Sequence, residues 1–83
     1  MKNIDIEESH KIIGKNVAKY RKGKKISQLE LSLCLGHKSV SIVASAERFY
    51  RKKHFNIEHL LRISKILNIP ICCFFEEKDV NEF

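Results

Sequence analysis

Proline occurs once in the 83 residues, at Pro70, and glycine three times, at Gly14, Gly23 and Gly36. So few glycines leave no Gly-rich phosphate loop. No apolar run approaches the roughly 18 residues that a membrane span requires. The segment Met1-Lys2-Asn3-Ile4-Asp5 lacks the apolar stretch of a secretory signal, so the cytoplasm is the expected compartment. The cysteines are odd in number, and two of them, Cys72 and Cys73, are adjacent. That pattern argues against a secreted disulfide framework, and it reads Cys72 and Cys73 as small buried apolar residues rather than a redox switch. Cys34 and His37 have ligand-like spacing, but no second Cys/His pair lies at finger spacing, so no metal or other cofactor is expected. The chain offers no nucleophile–base pair and no paired carboxylates on one face, and no enzymatic activity is expected.

Hydrophobic residues make up 43% and charged residues 31%, which fits one compact domain and excludes a disordered or collagen-like chain. Positive charge falls in two blocks. Residues 11–25 carry seven bases and no acid, and Arg48, Arg51, Lys52 and Lys53 follow further on, while the segment between is nearly neutral and rich in serine. Two cationic grips around a neutral segment suit a binder of the phosphate backbone. The plainer alternative is a solubilising surface.

Apolar residues recur at helical spacing, and no segment alternates with period two. Ile6, His10, Ile13, Val17 and Tyr20 form one stripe of a first helix. Asp5 with Glu8 can cap it, Ser9 being a competing start, and Gly23 ends it. Ser27 precedes a second helix, Gln28 to Leu35, with Leu31 and Leu35 inward and Gly36 as its stop. Ser39 can cap a third helix from Val40 to about Arg48, with Val43 and Ala46 inward. Asn56 can cap a fourth, whose Ile57, Leu60, Leu61, Ile63, Ser64 and Leu67 make a broad buried face. Asn68 and Pro70 punctuate before a short fifth helix, Pro70 to about Phe75. The division expected is an arm over residues 1–8, a domain over 9–76 and an acidic tail over 77–83. Phe49 to Phe55 is the one long irregular stretch, and His10 and His59 read as structural histidines with satisfied rings. His54 either adds a phosphate contact or is simply exposed. Leu29 and Leu33 pack under that loop or contact a protein.

The second helix, the Gly36 turn and the third helix have helix-turn-helix spacing. Here the chain resembles the Cro/phage-repressor-type (XRE-like) family, with its five-helix lambda-repressor-like fold. The resemblance lies in Ile13-Gly14, Val17, Tyr20-Arg21, Ile26-Ser27-Gln28, Glu30-Leu31, Leu35-Gly36, Val43 and Ala46-Glu47, and continues through Ile57-Glu58, Leu60-Leu61, Ile63, Leu67, Ile69 and Phe74-Phe75. It implies that the third helix enters the major groove, where Val40, Ser41, Ala44 and Ser45 would read bases. It also implies that Gln28 holds the phosphate backbone or helps read bases, and that Arg21 and Glu47 form an internal salt bridge. The connections from Gly36 to Val43 and from Glu47 to Ile57 are longer than the common pattern, and Phe49 stands where the family has glycine. Serine, valine and alanine are chemically mild readers, so the expectation is either modest direct readout supplemented by DNA shape or a larger role for Lys38, Arg48 and the Arg51-Lys52-Lys53 loop, which with Ser39 join the expected DNA contacts.

Ile69 to Phe75 is apolar almost without interruption. A short helix that is apolar on every side leaves one face for a partner, and many small members of the family pair through their last helix. The expectation is a homodimer on a palindromic operator, with Ile71, Cys72, Phe74 and Phe75 at the interface. The resemblance implies a transcriptional regulator that binds double-stranded DNA without a small-molecule ligand, as a controller protein of a restriction-modification system or a compact phage-type repressor does. The second hypothesis is a protein-interaction module such as an antitoxin, gripping its partner through the last helix or through Leu29 and Leu33.

Overall fold

The computed structural model describes residues 4–77; residues 1–3 of the expected arm and 78–83 of the expected tail lie outside it. Among the described residues there are four α-helices and no strand. They are α1 (Ile6–Gly23), α2 (Gln28–Cys34), α3 (Ser41–Arg48) and α4 (Ile57–Leu67), with a 3-10 turn at Tyr50–Lys52 and a terminal 3-10 helix at Ile71–Phe75. The class is all-α, as expected. The expected fifth helix is a 3-10 helix, because the stretch is too short to repay α nucleation and closes i to i+3 bonds, as from the Cys73 N–H to the Pro70 carbonyl at 3.0 Å.

Side-chain caps fix most of the starts. The Asp5 carboxylate accepts the Glu8 N–H at 3.1 Å, so α1 begins at Ile6 and takes in the last residues of the expected arm. Ser9, the competing start, lies inside the helix. Ser27 and Glu30 form a reciprocal capping box, Ser27 Oγ accepting the Glu30 N–H at 3.0 Å and the Glu30 carboxylate accepting the Ser27 N–H at 2.9 Å. Asn56 and His59 do the same for α4, at 2.7 and 3.2 Å. Helix α3 starts at Ser41, one residue later than expected, with Val40 at the cap position and no side-chain bond from it. Ser39 supports that first turn from one residue further out, its hydroxyl accepting the Ser41 N–H at 3.3 Å.

The ends divide differently. Gly36 (φ 89°) and Asn68 (φ 55°) adopt the left-handed conformation expected of them. Gly23 ends α1 as expected but does not take that conformation; the left-handed residue is Lys25 (φ 59°).

The core draws on every helix. Val17, Leu31, Val43, Leu60, Ile63, Leu67 and Phe74 are all fully buried, each worth about 1.5–3 kcal/mol relative to exposure. Phe74 therefore belongs to the protomer's own core and not to a dimer interface. Of the broad face expected on α4, Ile57 and Leu61 are 64% and 54% exposed. The cause is geometric, since only the arc carrying Leu60, Ile63 and Leu67 meets the other helices. Ile6 likewise lies outside the core.

Helix α1 packs mainly on α3 and on the terminal 3-10 helix. At Gly14 the approach to α3 is so close that a Cβ would stand 2.5 Å from the Ala46 carbonyl oxygen. On the other flank, buried Asn16 donates from Nδ2 to the carbonyls of Phe74 (2.9 Å) and Glu76 (2.7 Å), fastening the far end of the domain to α1.

Candidate nucleic-acid interface

Helix α3 is held from behind by a buried charged cluster. Arg21, on α1, donates from Nε and Nη2 to the two carboxylate oxygens of Glu47 at 2.6 and 3.1 Å, and from Nη1 to the Ile26 carbonyl at 2.8 Å. Gln28, the first residue of α2, donates from Nε2 to the same carboxylate at 2.8 Å. One side chain on α3 thus ties three helices together. The fork of the guanidinium fixes orientation as well as distance. Gln28, expected at a phosphate or a base edge, is half-buried and turned to Glu47, so its amide serves the anchor.

The opposite side of α3 is open. Val40, Ser41 and Arg48 are exposed and Ala44 and Ser45 half-buried, while Val43, Ala46 and Glu47 face inward. Lys38 and Ser39 are exposed just ahead of the helix. Beyond it, the guanidinium groups of Arg48 and Arg51 lie 5.4 and 5.3 Å from the centre of the Tyr50 ring, close enough for the ring to hold both cations in place. Ser41, Ile42, Ser45 and Ala46 of α3 face Lys53 and His54 across a hollow of about 470 Å³. The result is a surface of hydroxyls that both donate and accept, small methyl groups and flanking cations. Lys52 differs from its neighbours, because its ammonium lies 3.1 Å from the Glu7 carboxylate on α1.

The loop that carries these cations is locally strained. Phe49, Arg51 and Lys52 all have left-handed backbone (φ 55°, 52° and 64°), a conformation costing roughly 1–2 kcal/mol for a residue with a Cβ. A ring seam compensates. His10 and His54 stack with centroids 3.7 Å apart and planes 20° from parallel, Phe49 packs beside them at 6.2 Å from His10, and the Lys11 ammonium lies 5.9 Å from the Phe49 ring. His54 is exposed, one of the two alternatives expected of it, and its ring also stacks on His10 of α1. His10 is not the satisfied histidine expected, since its Nδ1 is buried without a partner. Burial, and then His54, hold its pKa below the ordinary imidazole value. His59 is satisfied by its capping bond, and burial followed by His37 lowers its pKa too.

Part of the first basic block sits elsewhere. Lys15, Lys19 and Lys22 border a hollow with Glu76 and Glu77 on the flank of α1 near the terminal 3-10 helix. Of the residues expected at a dimer interface, Phe75 and Cys72 are exposed and Ile71 half-buried, joined by the unexpected Leu61. Cys72 is therefore not the buried apolar residue expected. Leu29 and Leu33 do not pack under the loop and stay exposed on α2. No protein-family model and no curated protein matches the chain.

Proposed function

We propose that this chain is a sequence-specific DNA-binding transcriptional regulator that binds a palindromic operator as a homodimer, in the manner of a restriction-modification controller or compact phage repressor. The observation that carries the reading is the two-sidedness of α3. Its inner side is clamped by the Arg21–Glu47–Gln28 cluster, while its outer side presents Ser41 and Ser45 between Lys38 and the Arg48–Arg51 pair. A helix fixed this way can lie in a major groove with its hydroxyls at base edges and its cations at phosphates. The exposed Leu61 and Phe75 offer apolar area to a two-fold mate.

Selection of bound duplexes from a random pool tests the reading, and the expected product is a palindrome. In the same assay Arg51→Ala, Lys52→Ala and Lys53→Ala combined should weaken binding to every duplex. Three cations are lost, since the exposed Lys52–Glu7 pair holds Lys52 only weakly, and the log–log salt slope flattens by about three. An unchanged slope would remove the loop from the interface.

The exposed Leu29 and Leu33 favour a second reading, a protein-interaction module such as an antitoxin. Stable co-purification with an unrelated small protein, together with no recovered duplex, would select it.

A further inference from the structure

We propose that the His10–His54 stack positions the Arg51–Lys53 loop against α1, and that placing a proton on both rings releases the loop. The consequence for binding rests on the DNA-binding reading; the release itself does not. Three left-handed residues oppose the loop's shape, and the Lys52–Glu7 pair joins two exposed side chains that contribute little. Apart from the Tyr50 ring against Arg48 and Arg51 and the loop's own backbone bonds, the ring seam is what holds the stretch between Phe49 and the buried Phe55 to α1.

His54 Nδ1 lies 2.9 Å from the Lys52 carbonyl oxygen, an acceptor, which makes Nδ1 the hydrogen-bearing nitrogen and leaves Nε2 to take the added proton. His10 has no acceptor for a second N–H, because its buried Nδ1 faces no partner. The charged groups around the seam are mostly of one sign. Helix α1 supplies Glu7 and Lys11, the loop supplies Lys52 and Lys53, and α3 faces His54 with Ser41 and Ser45, its Arg48 lying against Tyr50. Glu7, the carboxylate among them, is already engaged by Lys52. Two imidazoliums face to face at 3.7 Å therefore repel one another with no anion between them. Burial first, and His54 second, lower the His10 pKa, in keeping with that repulsion.

Release leaves the loop cations on the molecule but ends their fixed spacing from α3. Acid should then erode discrimination between duplexes while leaving non-specific attraction intact or stronger. A histidine that merely touched phosphate would strengthen both together.

The test uses the whole chain and two probes, the pool-selected duplex and a random duplex. The ratio of their affinities should fall by at least about tenfold from about pH 7.5 to about pH 5 in the wild type. His10→Phe keeps a stacking ring that cannot titrate and should hold the ratio at both pH values; His10→Ala should lower it at both. A wild-type ratio that holds, or a parallel fall in wild type and His10→Phe, overturns the proposal. Should the pool yield no preferred duplex, the DNA reading fails and amide exchange decides. Lys52 and Lys53 N–H groups, which donate within the loop at 3.2 and 3.0 Å, should lose protection in acid in the wild type and keep it in His10→Phe. Equal protection overturns the release. His54→Phe repeats both arms if His10→Phe does not fold.

Discussion

At Gly14 the backbones of α1 and α3 nearly touch, and the obstacle to a side chain is main chain on both contacts: the Ala46 oxygen at 2.5 Å and the Glu47 oxygen at 2.9 Å from a Cβ. Backbone cannot rotate away as a side chain can. Gly14→Ala should therefore cost about 2–3 kcal/mol or more, read as a lower denaturation midpoint, because α3 must shift to admit the methyl. Lys25 is the opposite case. It is exposed and left-handed at φ 59°, so Lys25→Gly should stabilise by about 0.5–1 kcal/mol in the same measurement. The two substitutions also show why glycine alone misleads as punctuation. Gly23 is the last residue of α1, yet the left-handed conformation falls two residues later on a lysine, and no local rule separates these positions.

Elements were legible where their chemistry is local. Ser27 with Glu30, Asn56 ahead of α4 and Asn68 behind it act through partners within a few residues, and each sits where its side chain dictates. The terminal helix was legible as a helix but not by type, since five residues in one turn give no periodicity to distinguish α from 3-10. Contacts between elements were less visible. The sequence shows neither the burial of Phe74 nor the inward turn of Gln28, because partners such as Asn16 and Glu47 lie 58 and 19 residues away. The Arg21–Glu47 pairing was available through resemblance; its third member was not. Arg21→Ala should cost about 3–5 kcal/mol, since it leaves the Glu47 carboxylate buried with only the Gln28 amide. Equilibrium unfolding checks this, and a loss under about 1 kcal/mol would show that the cluster relaxes to solvent.

At the scale of the molecule, surface character separates by side. Hydroxyls and cations gather around α3 and its following loop, while Leu61 on α4 and Cys72 and Phe75 on the terminal 3-10 helix are exposed, with Leu61 bordering a hollow shared by Ile71, Arg62 and Lys65. In Phe74 and Phe75 the two roles meet in adjacent residues. Phe75→Asp should give folded monomers in sedimentation, because its ring is 46% exposed and the core does not depend on it. Phe74→Ala should cost about 3–5 kcal/mol of the fold itself. A folded dimer after Phe75→Asp would move the proposed interface off this surface.

The fastening at Asn16 has a further effect on how the domain comes into being. Its amide meets carbonyls 58 and 60 residues downstream, so during synthesis that buried group waits without its acceptors until nearly the whole domain has left the ribosome. The helices can form as they emerge, but the assembled core closes late and as one event. Truncation before Phe74, which removes both acceptors and the buried ring, should yield a chain with helical content and no cooperative melt.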